Sequence, residues 1–131
     1  MHMLDTNIVS HLVKQHPSVV NRYSQIAPEE MCISSITEAE LLYGVAKKQS
    51  HRLHETISEF LKTITVCDWD SDAAAIYGKL RASMEKRGKV MGDLDQLIAA
   101  HALSRGTTIV TNDRAFAMVQ ELTIEDWTTA A

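Results

Sequence analysis

The opening stretch Met3-Leu4-Asp5-Thr6-Asn7 constrains this chain most. A short apolar run ends on an aspartate, and small polar residues come directly after it. In an open α/β sheet, ligands bind outside the carboxyl ends of the strands, where such an aspartate would stand. Asp5 is therefore expected at a site, and the rest of the chain must supply its companions. The 131 residues suit one domain, 1–131, and 45% apolar content is enough for one core. No apolar run approaches the roughly 18 residues that span a membrane. Asp5 interrupts the N-terminus before any leader-like apolar region, so the expected location is cytoplasmic. Cys32 and Cys67 lack C-x-x-C spacing and clustered histidines, and read as small buried thiols.

Hydrophobic periodicity places strands at Met1–Leu4, Met31–Ile33, Thr65–Cys67, Thr108–Thr111 and Leu122–Ile124. Between them, i,i+4 patterning and cap residues predict helices over Asn7–Lys14, Pro17–Gln25, Glu38–Lys47, Ser50–Lys62, Asp70–Arg87 and Asp93–Arg105, with a short one at Arg114–Val119. Pro17 suits a first helical turn, and Gly106 suits the position just past a helix end. Strands alternating with helices imply a mostly parallel sheet covered on both faces, a three-layer α/β/α arrangement.

On this map the acidic residues form a pattern. Asp5 ends the first strand and Asp113 directly succeeds the fourth. Glu40 lies in the early turns of the helix after the second strand, and Asp95 in the first turn of the helix before the fourth. These ends share one edge of a parallel sheet, so the four carboxylates can converge. Each also has a purely structural reading. Thr37-x-x-Glu40 matches a capping box, Asp95 favours the helix dipole, and Asp113 can cap the short helix after it. Two carboxylates about 4 Å apart repel by roughly 4 kcal/mol at an effective dielectric of 20. A convergent set therefore calls for a divalent cation or for protonation. Oxygen ligands without His or Cys point to Mg²⁺, with Mn²⁺ as the alternative, and to metal-assisted phosphodiester hydrolysis. Residues two apart on a helix are roughly 200° apart. Asp93 is thus expected as the N-cap and Asp95 as the inward ligand, and Glu40 is preferred to Glu38 on the same geometry.

Four motifs carry a resemblance: LDTN at Leu4–Asn7, ISSITEAELLYG at Ile33–Gly44, GDLDQLIAAHA at Gly92–Ala102 and TIVTND at Thr108–Asp113. Together they resemble the PIN-domain ribonucleases of the VapC toxin family, in order and over nearly the whole chain. The resemblance implies a PIN-like α/β/α fold in which Asp5, Glu40, Asp95 and Asp113 hold Mg²⁺ or Mn²⁺. Thr111, Thr6 and Asn7 are implied as polar support. It further implies a homodimer, a cognate VapB-like antitoxin, and a structured RNA substrate. That substrate is expected to be tRNA cut in the anticodon loop, with the initiator tRNA as a candidate.

The net charge of −4 argues against a binder that works by bulk positive charge, but not against local basic patches. Lys86, Arg87 and Lys89 precede the Asp93–Asp95 segment and Arg114 adjoins Asp113. They are candidate RNA-phosphate contacts or, alternatively, solvated helix ends. None of the six histidines is assigned a catalytic role, and Trp127 is expected to pack on the domain body. An aspartyl-nucleophile phosphatase needs a second Asp at position 7, which is Asn7. A phospho-receiver needs a Lys after a later strand, and none comes after Thr111. The remaining alternative is a catalytically idle PIN-like module acting only through its antitoxin partner.

Overall fold

The computed structural model describes residues 1–129. The chain folds as β1 (His2–Leu4), α1 (Thr6–Val13), α2 (Pro17–Gln25), β2 (Met31–Ser34), α3 (Ser35–Lys48), α4 (His51–Thr63), β3 (Thr65–Cys67), α5 (Ser71–Lys86), α6 (Asp93–Arg105), β4 (Thr108–Val110) and β5 (Ile124–Glu125). Short 3₁₀ turns cover Pro28–Glu30 and Arg114–Met118. The strands form one sheet in the order β3-β2-β1-β4-β5, and all four pairings are parallel. Because every strand runs the same way, all five carboxyl ends lie along one edge.

Side chains alternate across a strand, and that alternation divides the core in two. Met3, Cys32 and Ile109 point to one face and pack beneath α5 and α6 with Leu80, Met84, Ile98 and Phe116. Their neighbours Leu4, Ile33 and Val110 point to the other face, toward Ile8, Val19, Ile57 and Trp127. Trp127 is fully buried, in line with the expectation from its sequence context. Helix α6 is buried continuously from Ile98 to Ala102; its three alanines let the helix backbone approach the sheet closely. Cys32 and Cys67 are buried and unbridged. Burial pushes the Cys32 thiol up to about 12, with the nearby Cys67 adding to the effect, so it is an inert thiol. No helix among the described residues is long and apolar enough to cross a membrane.

Three boundaries differ from the sequence expectation. Helix α3 begins at Ser35 rather than Glu38, because the Ser34 hydroxyl accepts the Ile36 N–H and caps it. Thr37 is then an interior, buried residue, and the Thr37–Glu40 capping box does not form. Helix α6 is capped by Gly92, which offers no side-chain acceptor, so Asp93 is its first residue rather than its N-cap. The last strand lies at Ile124–Glu125, not Leu122–Ile124. The Glu125 carbonyl accepts the Thr111 N–H (2.9 Å) and the Glu125 carboxylate accepts from Trp127 Nε1 (3.0 Å) and Arg22 (3.1 Å). Those bonds fix the register two residues beyond the sequence expectation for its start.

Candidate active site

Asp5 leaves β1 in extended conformation, and its backbone N–H donates to Val110 O (2.9 Å). The residue is therefore held by the sheet even though it stands at the sheet's edge. Its Oδ1 accepts the Thr6 N–H (2.7 Å), capping α1, and its Oδ2 accepts the Thr111 hydroxyl (2.8 Å). Thr111 Oγ1 in turn accepts the Asp113 N–H (3.0 Å), and Asp113 Oδ1 caps the 3₁₀ turn through the Ala115 N–H (2.9 Å). A continuous relay thus runs from the end of β1 to the end of β4. On the other side, the Thr6 hydroxyl donates to Glu40 Oε1 (2.6 Å) and lies 3.4 Å from the buried Thr37 hydroxyl. Thr6 joins the first aspartate to the glutamate of α3.

Asp95 enters from the first turn of α6. A Cβ on Gly92 would lie 3.5 Å from Asp95 Oδ2, an ordinary contact distance, so the cap residue stands directly beside this carboxylate. Desolvation raises the Asp95 carboxyl to about 7, and the charges of Asp5 and Asp113 add to the rise. A hydrogen bond with the Asp113 side chain adds further to the rise at Asp95. Asp5, only 2% exposed, is raised to about 6, again chiefly by desolvation. The Thr111 and Thr6 hydrogen bonds oppose that shift, while Glu40 and Asp113 reinforce it. Asp5 and Asp95 therefore each lie within electrostatic reach of the other three expected carboxylates. A cluster of this kind holds protons that a cation would displace.

Of the other expected site residues, Thr6 and Thr111 occupy supporting positions. Asn7 is exposed and makes no side-chain hydrogen bond among the described residues. Asp93 is exposed and stands outside the group of carboxylates that acts on Asp5 and Asp95. Lys86, Arg87, Lys89 and Arg114 are all exposed, and none hydrogen-bonds a pocket residue among those described. His101 is buried against the Ser34 hydroxyl (2.7 Å), away from the chemistry. Two cations escaped the sequence reading: Lys14 and Lys48 line a cleft that opens beside Glu40. Their signal is the i,i+4 spacing Thr6–Ser10–Lys14 and Glu40–Gly44–Lys48.

Among the described residues, no three His, Cys, Asp or Glu side chains stand close enough together to enclose an ion. The donors are all hard oxygens, and two of the carboxyls are raised toward neutral pH in the absence of a cation. This set fits a divalent ion such as Mg²⁺, which keeps several waters and takes only one or two carboxylates directly. It does not fit a closed protein cage.

An all-parallel sheet with four carboxylates gathered along its carboxyl edge, two of them on the strand-end loops and two on early helix turns, defines a PIN-type fold. The PIN domain family matches residues 2–122, and the chain belongs to that family. Within it the chain belongs with the VapC ribonucleases. It is 42% identical over 127 residues to the tRNA(fMet)-specific endonuclease VapC of Shigella flexneri, covering 95% of this chain and 96% of that one. It is also 42% identical over 129 residues to Ribonuclease VapC2 of Haemophilus influenzae, with 96% and 97% coverage. In structure it is similar to VapBC2 from Rickettsia felis bound to a DNA fragment from their promoter (TM-score 0.89, 35% identity, 96% and 98% coverage). It is likewise similar to the DNA-bound VapBC of Salmonella typhimurium (TM-score 0.88, 38% identity, 96% and 97% coverage).

Proposed function

We propose that this chain is the endoribonuclease toxin of a toxin–antitoxin pair, that it hydrolyses RNA phosphodiester bonds with the help of Mg²⁺ or Mn²⁺, and that it acts on tRNA. The observation that carries the reading is the group of Asp5, Glu40, Asp95 and Asp113 at one sheet edge. Burial and mutual repulsion raise Asp5 and Asp95 well above the ordinary carboxylate range. A site built only to stabilise the fold gains nothing from that repulsion. A divalent ion held by Asp5, Glu40, Asp95 and Asp113 would offset it, activate a water and neutralise charge on the phosphoryl oxygens.

The protein's own groups have separable tasks. Asp5 is fixed by two hydrogen bonds and presents a carboxylate of set orientation. Thr6 holds Glu40, and Thr111 holds both Asp5 and the Asp113 backbone, so the loop after β4 moves with β1. Asp95, beside Asp113, binds or releases a proton near neutral pH. The restraint from neighbouring hydrogen bonds matches what metal carboxylates need from their surroundings.

The assignment to tRNA, the initiator in particular, is favoured by the names of the Shigella and Salmonella relatives, tRNA(fMet)-specific endonucleases; cleavage in the anticodon loop is what the motif resemblance implies. The antitoxin assignment is favoured by the VapBC complexes among the structural relatives. A homodimer accounts for the exposed Leu42, Tyr43, Val90 and Leu94, which a solitary chain leaves in water. Partner-free protein incubated with total tRNA should give discrete fragments whose ends map to one anticodon loop, and added VapB-like antitoxin should suppress them. Its mass in solution should be that of two chains. Protein that binds the antitoxin tightly yet cuts no RNA would instead identify an idle binding module.

A further inference from the structure

Helices α1 and α3 face each other across a cleft of about 200 Å³, and the residues that line it are in register. At the inner end Thr6 meets Glu40 (2.6 Å). One turn outward stand Ser10 and Gly44, and one turn further stand Lys14 and Lys48. Apolar side chains of α4, chiefly Leu53 and Ile57, contribute to the walls. The inner end is thus continuous with the carboxylate site and the outer end carries two exposed lysines. Neither lysine pairs with a carboxylate among the described residues. The cleft is open over Gly44: a Cβ there would meet nothing within 4 Å.

We propose that this cleft is a subsite for the RNA strand next to the scissile phosphate. One nucleobase lies over Gly44 between the aliphatic walls, and Lys14 and Lys48 hold a phosphate beyond it. The inference rests on the ribonuclease reading and extends it to the residues that grip the substrate. Three features favour a nucleic acid. The helix from Glu40 to Lys48 spans about 12 Å, which suits a short run of extended strand. The volume is below the roughly 300–1,000 Å³ of pockets for drug-sized ligands, which suits a single ring system. The charge changes from carboxylates inside to lysines outside, so a polyanion gains from the mouth while a cation is needed within. The aliphatic walls carry no hydrogen-bonding code, so this subsite accepts different bases and selects for an unpaired one.

The test uses a single-stranded RNA oligonucleotide that the wild-type protein cuts, with Gly44→Leu to fill the cleft and Lys14→Ala/Lys48→Ala to neutralise its mouth. Thermal melts establish that both variants are folded; the lysines are exposed, so the double variant is the safer of the two. Gly44→Leu should raise KM severalfold, the loss of the apolar contact between one base and the aliphatic walls, with little change in kcat. The lysine variant should flatten the slope of log(kcat/KM) against log salt by about 0.7 for each lysine that contacts a phosphate. Wild-type KM and salt slope in both variants, beside normal cleavage by the parent, would overturn the subsite alone. If the parent cuts no RNA, the underlying ribonuclease reading fails instead. Variants that keep wild-type RNA kinetics but lose affinity for the antitoxin would assign the cleft to a protein partner and end the RNA proposal.

Discussion

The Thr6 hydroxyl donates to Glu40 Oε1 at 2.6 Å, across 34 positions of sequence, while the same residue's N–H holds Asp5 at 2.7 Å. A single threonine therefore sets the relative position of two carboxylates that arrive on different elements. Thr6→Val keeps the shape and the backbone bond but frees Glu40. Loss of a partner that orients a metal carboxylate typically lowers metal affinity or activity by about 10–100-fold. We expect RNA cleavage to fall by about that factor, with the Mg²⁺ requirement moved to higher concentration. Thr6→Ser should restore both, because it returns the hydroxyl. A Mg²⁺ titration of initial rates for the three proteins checks this.

Asp5→Asn should separate activity from stability. Asparagine retains an oxygen to accept the Thr6 N–H, so the cap of α1 survives. It removes a buried charge whose folded carboxyl lies near 6 rather than 3.8. At pH 8 and without metal, that difference is worth up to about 3 kcal/mol. The variant should melt several degrees above wild type in EDTA at pH 8, and the gain should shrink to about half at pH 5, where folded wild-type Asp5 carries a proton and the unfolded chain does not. Melting curves at the two pH values read this directly. An unchanged gain at pH 5 would assign the effect to something other than charge.

The pH dependence of stability arises from the same groups. Asp5 and Asp95 are raised to about 6 and about 7, so between pH 4 and 7 the folded chain binds more protons than the unfolded one. Their contribution is largest at low pH and is lost as pH rises through 6 and 7. His101, buried and lowered chiefly by desolvation, acts the opposite way. Below about pH 6.5 the unfolded chain protonates it and the folded chain does not. Two carboxyls against one imidazole leave metal-free stability falling from pH 5 to pH 8. Urea midpoints in EDTA at pH 5, 6, 7 and 8 should show that fall. Saturating Mg²⁺ should flatten it, since the ion replaces the protons and its binding releases them.

Trp127 gives a prediction about the fold alone. It is fully buried, its Nε1–H donates to Glu125 (3.0 Å), and Arg22 lies 5.9 Å from its ring centre. Trp127→Ala should destabilise by about 3–5 kcal/mol through the cavity it leaves. Trp127→Phe should retain most of the packing and lose the hydrogen bond. Denaturant midpoints for the two variants measure the difference.

The residues differ in how far the sequence revealed them, and the difference is physical. Met3/Leu4 and Ile109/Val110 announce their faces by alternation alone, and an aspartate at the end of such a run marks the sheet edge. Asp5 and Asp113 were legible for that reason, and Glu40 and Asp95 by their place at helix starts. The local role of Glu40 was not legible. Ser34 competes with Thr37 for the cap of α3, and only the structure shows Ser34 winning and Thr37 turning inward. The Glu125 cluster with His2, Arg22 and Trp127 joins residues up to 123 positions apart, and short-range patterning carries no trace of such pairs. Lys14 and Lys48 lie between these cases. Each stripe is readable at i,i+4 spacing, but that the two stripes face each other is a fact of helix packing.

Metal-dependent RNA cleavage by these four carboxylates is tested most directly by comparing wild-type and Asp5→Asn proteins, both free of antitoxin, on one tRNA pool with Mg²⁺ and with EDTA. Discrete fragments are expected from wild type with Mg²⁺ and none in the other three reactions. Equal cleavage by Asp5→Asn, or undiminished cleavage in EDTA, would contradict that role for the site.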